Sequence, residues 1–167
     1  MALILSGTNG ISSSSSNWAI QPDDSGRVRM SNQPYFAATV TGNANYATVN
    51  ENVAFPANTA GFNIGGHYNT STYRFTAPVT GNYLFTYSGI SSTAGAQSRP
   101  MFYVNGSSSG AGNIQMGISG GDRGSESQAT SAIIRLNVGD YVDLRSQAGS
   151  LYYYGANHSS FTGILLS

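Results

Sequence analysis

Apolar and polar residues alternate with period two over most of this chain, and no segment sustains a helical period. The clearest stretch is YRFTAPVTGNYLFTYS, residues 73–88. Tyr73, Phe75 and Ala77 alternate with Arg74 and Thr76. After Pro78 and Gly81, Tyr83, Phe85 and Tyr87 share one strand face while Leu84, Thr86 and Ser88 share the other. Pro78 fixes φ and removes an amide donor, and Gly81 tolerates the positive φ of many turns, so the pattern predicts two strands joined by a tight turn. Further strands are predicted over residues 35–40, 52–55, 100–104, 113–118, 129–136, 141–145 and 160–166, with glycine-rich connections. Many short strands of this kind make an all-β sandwich, jelly roll or barrel. The consecutive pair Ile133-Ile134 marks a strand covered on both faces, as at a subunit interface.

Residues 1–31 have a different composition. A short apolar patch, Ala2 to Leu5, precedes turn formers at Gly7 to Gly10 and the serines Ser12 to Ser16, with the sole tryptophan, Trp18, close behind. Pro22-Asp23-Asp24-Ser25-Gly26 is dense in turn formers and Arg27-Val28-Arg29-Met30 alternates like a short strand, so a hairpin is expected before the main domain of residues 32–167. The whole reads as an extended arm. Fully stretched, ~30 residues span on the order of 100 Å, enough to lie across a neighbouring protein and order on contact. Leu3, Ile4, Leu5, Trp18 and Ile20 are its candidate docking residues; packing of Trp18 and Ile20 back onto their own domain is the alternative.

Composition narrows the partners. Charged residues make up only 8%, all seven basic residues are arginine, and seven acidic residues bring the formal charge to zero. No field draws this chain to nucleic acid or to acidic lipid. The apolar opening is short for a signal peptide's core and no run approaches ~18 apolar residues, so neither a membrane partner nor export is expected. Cysteine is absent, which excludes thiol nucleophiles and thiolate metal sites.

Candidate chemistry is sparse. His67 and His158 have no neighbouring histidine or acid at metal-ligand spacing, and Asp23-Asp24 and Asp140/Asp143 read as turn or strand-start residues. No catalytic residue, metal or cofactor is expected. The best recognition candidate is Tyr152-Tyr153-Tyr154 with Asn157, because tyrosines beside an amide stack on sugars and hydrogen-bond their hydroxyls. The alternative is that one of these tyrosines fills a subunit seam.

Four separated motifs in order carry a resemblance. They are QPYFAA (residues 33–38), Tyr68 followed by YRFTAPVTGNYLFTYS, LNVGDYV (136–142) and SSFTGILL (159–166). Together they resemble the globular head of the complement C1q/TNF-like family, over residues 33–167. The resemblance implies a ten-stranded jelly roll that associates as a homotrimer and binds rather than catalyses; some relatives bind calcium near the trimer axis, for which Asp122 and Glu126 are only weak candidates in this chain. Phe75, Pro78, Gly81, Tyr83, Phe85, Gly139, Asp140, Phe161 and Gly163 match its framework, and Tyr83, Phe85, Tyr87, Ile133 and Tyr141 are candidate trimer-interface residues. The ALILSG opening and the DSGRV approach to Gln33 resemble bacteriophage virion proteins that carry this module. The expectation is a non-enzymatic virion-surface knob, a capsid decoration or cement protein docked through its arm on another virion protein, with the major capsid protein first. It would be assembled in the host cytoplasm. The alternative is a tail-fibre or spike tip recognising host-surface glycan.

Overall fold

The computed structural model describes residues 3–6, 10–13, 18–22, 25, 28–29, 32–41, 46–50, 52–91, 99–108, 126–147, 150–154 and 158–167. Fifteen strands and, among the described residues, no helix make up two compact units, Met1–Gln33 and Pro34–Ser167.

In the first unit β1 (Leu3–Ser6), β2 (Gly10–Ser13), β3 (Trp18–Pro22) and β4 (Val28–Arg29) pair antiparallel in sequential order. The described residues of this segment pair as a small four-stranded sheet, where an extended arm with one hairpin was expected. The register sets Leu5 opposite Ile11 and Ile11 opposite Ile20, a three-strand aliphatic row that reading each apolar patch separately had not joined.

The second unit contains β5 (Tyr35–Thr39), β6 (Tyr46–Val49), β7 (Thr59–Ile64), β8 (Tyr68–Asn69), β9 (Arg74–Thr76), β10 (Gly81–Ser91), β11 (Pro100–Val104), β12 (Glu126–Leu136), β13 (Tyr141–Ser146), β14 (Leu151–Tyr154) and β15 (Ser160–Leu165). They form a five-stranded sheet ordered β12-β10-β15-β5-β7, a four-stranded sheet ordered β11-β13-β9-β8 and a two-stranded ribbon, β14-β6. Eleven described strands thus stand where ten were expected. The segment 52–55 is not a strand: Asn52 turns with φ 61° and the buried Phe55 donates its N–H to the Leu144 carbonyl at 2.7 Å. The segment 113–118 lies outside the described residues.

The Tyr73 to Ser88 stretch is not a hairpin. β9 belongs to the four-stranded sheet and β10 to the five-stranded one, so residues 77–80 cross between sheets. Phe75 and Tyr83 meet inside, with ring centroids 5.4 Å apart, because the two aromatic faces look at each other across a sandwich. Gly81 does not take a positive φ; it is needed because a Cβ there would lie 2.6 Å from the Ser167 carbonyl oxygen, which accepts the Asn82 N–H at 2.7 Å.

Aromatic rings fill the space between the sheets. Phe36, Tyr83, Phe85 and Phe161 from the five-stranded sheet meet Tyr68, Phe75 and Phe102 from the other, and all are buried. Phe36 stacks on Tyr68 at 4.5 Å and meets Phe161 edge-on at 5.0 Å. Two of the buried tyrosine hydroxyls have backbone partners: Tyr68 donates to the Ala57 carbonyl at 2.9 Å and Tyr83 to that of Val79 at 2.7 Å. Gly163, in the middle of β15, leaves the gap into which Phe36 and Phe85 pack, since a Cβ would lie 2.5 and 2.7 Å from their Cε1 atoms.

The outer face of the four-stranded sheet is laced by charge. Asp143 on β13 is fully buried and accepts from Arg145 Nε at 2.6 Å, Arg145 Nη2 at 2.8 Å and Arg74 Nε at 3.2 Å. Those bonds push the Arg145 guanidinium above its ordinary pKa. Arg74 and Arg145 also stack on Tyr141 and Tyr103, at 4.2 and 4.9 Å from the ring centroids.

Two stability effects follow. Gly163→Val must push Phe36 and Phe85 apart and should cost about 3 kcal/mol, seen as a lower urea midpoint at unchanged slope; an unchanged midpoint would show that the rings do not pack there. Asp143→Asn leaves two arginines without their buried counter-charge and should cost about 3–5 kcal/mol, whereas a loss below 1 kcal/mol would mean that water already screens the carboxylate.

Candidate functional site

Because the rings of β10 and its neighbours fill the interior, the alternate residues of the five-stranded sheet face outward. Their register is continuous. Ile133 stands opposite Leu84, Leu84 opposite Ile164, Ile164 opposite Tyr35 and Tyr35 opposite Ile64, so one apolar row crosses all five strands. Ile133 is 57% exposed, Tyr35 37% and Ile164 36%, while Leu84 and Ile64 are half-buried. The next row, Ser131, Thr86, Thr162, Ala37 and Phe62, adds the exposed Phe62, whose ring centroid is 6.4 Å from that of Tyr35. Thr86 and Thr162 share a 2.6 Å hydroxyl hydrogen bond in the middle of the face. Neither row contains a charge. A contiguous apolar band in two uncharged rows is a surface suited to burial against another protein surface.

Sequence-predicted interface residues fall in three places. Tyr83, Phe85 and Tyr87 are buried in the protomer's own core and are unavailable to a neighbour; alternation had separated the faces of β10 correctly, but the aromatic face is the inner one. Burial pushes the Tyr87 phenol above its ordinary pKa. Ile133 lies on the exposed apolar face. Tyr141 lies on the outer face of the other sheet, half-buried beneath Arg74. The residues that sequence reading missed, Tyr35, Phe62, Leu84 and Ile164, were legible as the second face of alternating strands and were passed over because each is a single apolar residue among hydroxyls.

The tyrosine segment is strand β14 rather than a loop. Tyr153 is buried and meets Phe55 edge-on at 5.3 Å, and burial raises its phenol pKa. Tyr154 is half-buried and touches exposed His158 edge-on at 4.7 Å. For Tyr152 only the backbone pairing with Thr48 is described, and Asn157 lies outside the described residues. Asp140, at the start of β13, accepts from Asn105 Nδ2 at 2.8 Å and from the Asn137 N–H at 2.7 Å, which holds its carboxyl below the usual carboxylate range and fits the strand-entry turn read from LNVGDYV. Among the described residues, no three histidine, aspartate or glutamate side chains gather as a metal site would require. Asp122 lies outside the described residues, and for Glu126 only the backbone of β12 is described.

Comparison with known proteins gives one answer. The C1q domain profile matches residues 35–166. Caprin-2 of Danio rerio is 30% identical over 131 residues, covering 78% of this chain and 14% of that protein, so the chain spans a small part of that relative. Among solved structures, the globular domain of zebrafish complement 1qA superposes with a TM-score of 0.59 at 17% identity, over 81% of this chain and 98% of that one. The Eiger TNF of S. frugiperda gives 0.60 at 11% identity over 81% and 94%, and murine APRIL 0.60 at 9% over 80% and 99%. The all-β sandwich, the four framework motifs and this match agree: the chain belongs to the C1q domain family.

Proposed function

We propose that this chain is a virion structural protein of a bacteriophage, a homotrimeric C1q-like knob on the particle surface that acts as a capsid decoration or cement protein. C1q-like domains bind and build rather than catalyse. The observation that carries the assembly half is the uncharged row Ile133, Leu84, Ile164, Tyr35 and Ile64 across the five-stranded sheet. A lone protomer leaves that row in water, and cyclic closure removes it from water in every copy at once. Threefold order follows from the resemblance of the framework motifs. The N-terminal unit is the attachment device, and its ALILSG opening and DSGRV approach support the virion setting. Three identical attachments raise effective concentration, so weak individual contacts with the major capsid protein hold firmly.

A second reading, a fibre or spike tip that recognises host-surface glycan, draws support from the outer face of the four-stranded sheet, where exposed residues beside Arg74 are hydroxyls and amides.

Two experiments test the first reading. Ile133→Glu places a charge at the β12 end of the apolar row, on its most exposed member; light scattering should fall from three protomers to one of 17.4 kDa, and an unchanged mass would remove the proposed interface. Deleting residues 1–33 should abolish incorporation into particles while the C1q domain stays folded, and full incorporation would end the docking role. Quantitative mass spectrometry of intact particles should find copies comparable with the major capsid protein; a few copies would favour the fibre tip instead.

A further inference from the structure

Arg74 carries a charge that the fold leaves partly unused. Arg145 alone satisfies Asp143 with two bonds, at 2.6 and 2.8 Å, and Arg74 adds a second cation through Nε at 3.2 Å, so the three ions sum to one net positive charge. Asp140, three residues before Asp143, turns its carboxylate to Asn105 and Asn137. Among the described residues, no acceptor takes Nη1 or Nη2 of Arg74, and its side chain is 39% exposed. The guanidinium is nonetheless held still: Asp143 fixes its Nε edge and the Tyr141 ring, 4.2 Å from Cζ, lies against one face. What remains at the surface is a pre-oriented fork of two N–H groups, the shape that pairs with a planar carboxylate.

The surroundings choose the kind of molecule that brings the carboxylate. Along residues 69–76 the exposed side chains are Asn69, Ser71, Thr72 and Thr76, all amide or hydroxyl. Asn69 Oδ1 accepts the N–H groups of Ser71 and Thr72 at 2.8 and 3.1 Å, which orders that turn. Tyr73 takes φ 60° immediately before Arg74, a conformation uncommon for a bulky residue. An apolar anchor of a protein partner finds no counterpart along this stretch, whereas sugar hydroxyls find hydrogen-bond partners throughout it. We propose that Arg74 is the primary contact of a binding site for carboxylate-bearing saccharides, sialic or uronic acids, with Asp143 and Tyr141 as the residues that position its guanidinium. The site deepens the glycan-recognition reading, and it rests on geometry within one protomer rather than on particle location or oligomeric state.

The test uses the full chain and calorimetric titration with sialyllactose, a glucuronate disaccharide and lactose, the first two separating sialic from uronic acid. At least one acidic saccharide should bind tenfold or more tightly than lactose, and its methyl ester should bind like lactose. Arg74→Gln should weaken acid binding at least tenfold. Arg74→Lys keeps a cation beside Asp143, so it preserves the fold while removing the fork, and it should still lose several-fold in affinity with unchanged melting midpoint and molecular mass. Equal binding of acid, ester and lactose, no binding of either acid, or wild-type affinity in Arg74→Lys and Arg74→Gln would overturn the site. Arg74-dependent binding of an oligoglutamate peptide without binding of either saccharide would overturn the choice of ligand.

Discussion

Ring packing across the interior of the sandwich fixes the geometry of the C-terminal unit. Phe85 on β10 lies 5.6 Å from Phe75 and 5.9 Å from Phe102, both on the opposite sheet, and Phe36 and Phe161 close the cluster over Gly163. Rings of this size leave little freedom in how far apart the sheets sit or which face of each strand turns inward. Once Tyr83, Phe85 and Tyr87 are committed to the interior, Leu84, Thr86 and Ser88 must look outward, and the β12 and β15 registers extend that outward face across the sheet.

The two outer faces that result differ in chemistry. One carries Ile133, Leu84, Ile164, Tyr35 and Phe62 among hydroxyls, without a charge in its two central rows. The other carries Asp143, Arg145 and Arg74 with two stacked tyrosines. In a chain with only seven basic and seven acidic residues, this separation decides what each face can do. Water removed from the first face is a gain, while covering the second requires a partner that answers its residual positive charge.

The all-β class and the outline of β5, β10, β11, β12, β13 and β15 were legible in the sequence, because short apolar or alternating runs there are bounded by turn formers. Alternation gave two faces per strand without saying which was inner, so the aromatic face of β10 was assigned to an interface and its true outer face was passed over. β7, with Gly61 and Asn63 in TAGFNI, carries little pattern of its own and is held by pairing with β5. Asp143 looked like a strand-start acid; in the fold it is buried and also takes a bond from Arg74, 69 positions away, and no local window contains that pair. The framework of the site was therefore readable, and the partners made by distant strands were not.

The central claim is that the apolar row on the five-stranded sheet is hidden from water in the native assembly. Hydroxyl-radical footprinting of the intact protein tests it directly, because Val53 and Val138, 48% and 66% exposed, serve as internal references elsewhere on the surface. The account predicts strong protection of Tyr35, Phe62, Ile133 and Ile164 relative to those two valines. Labelling of the four at the rates expected from their exposure in a single protomer would contradict it.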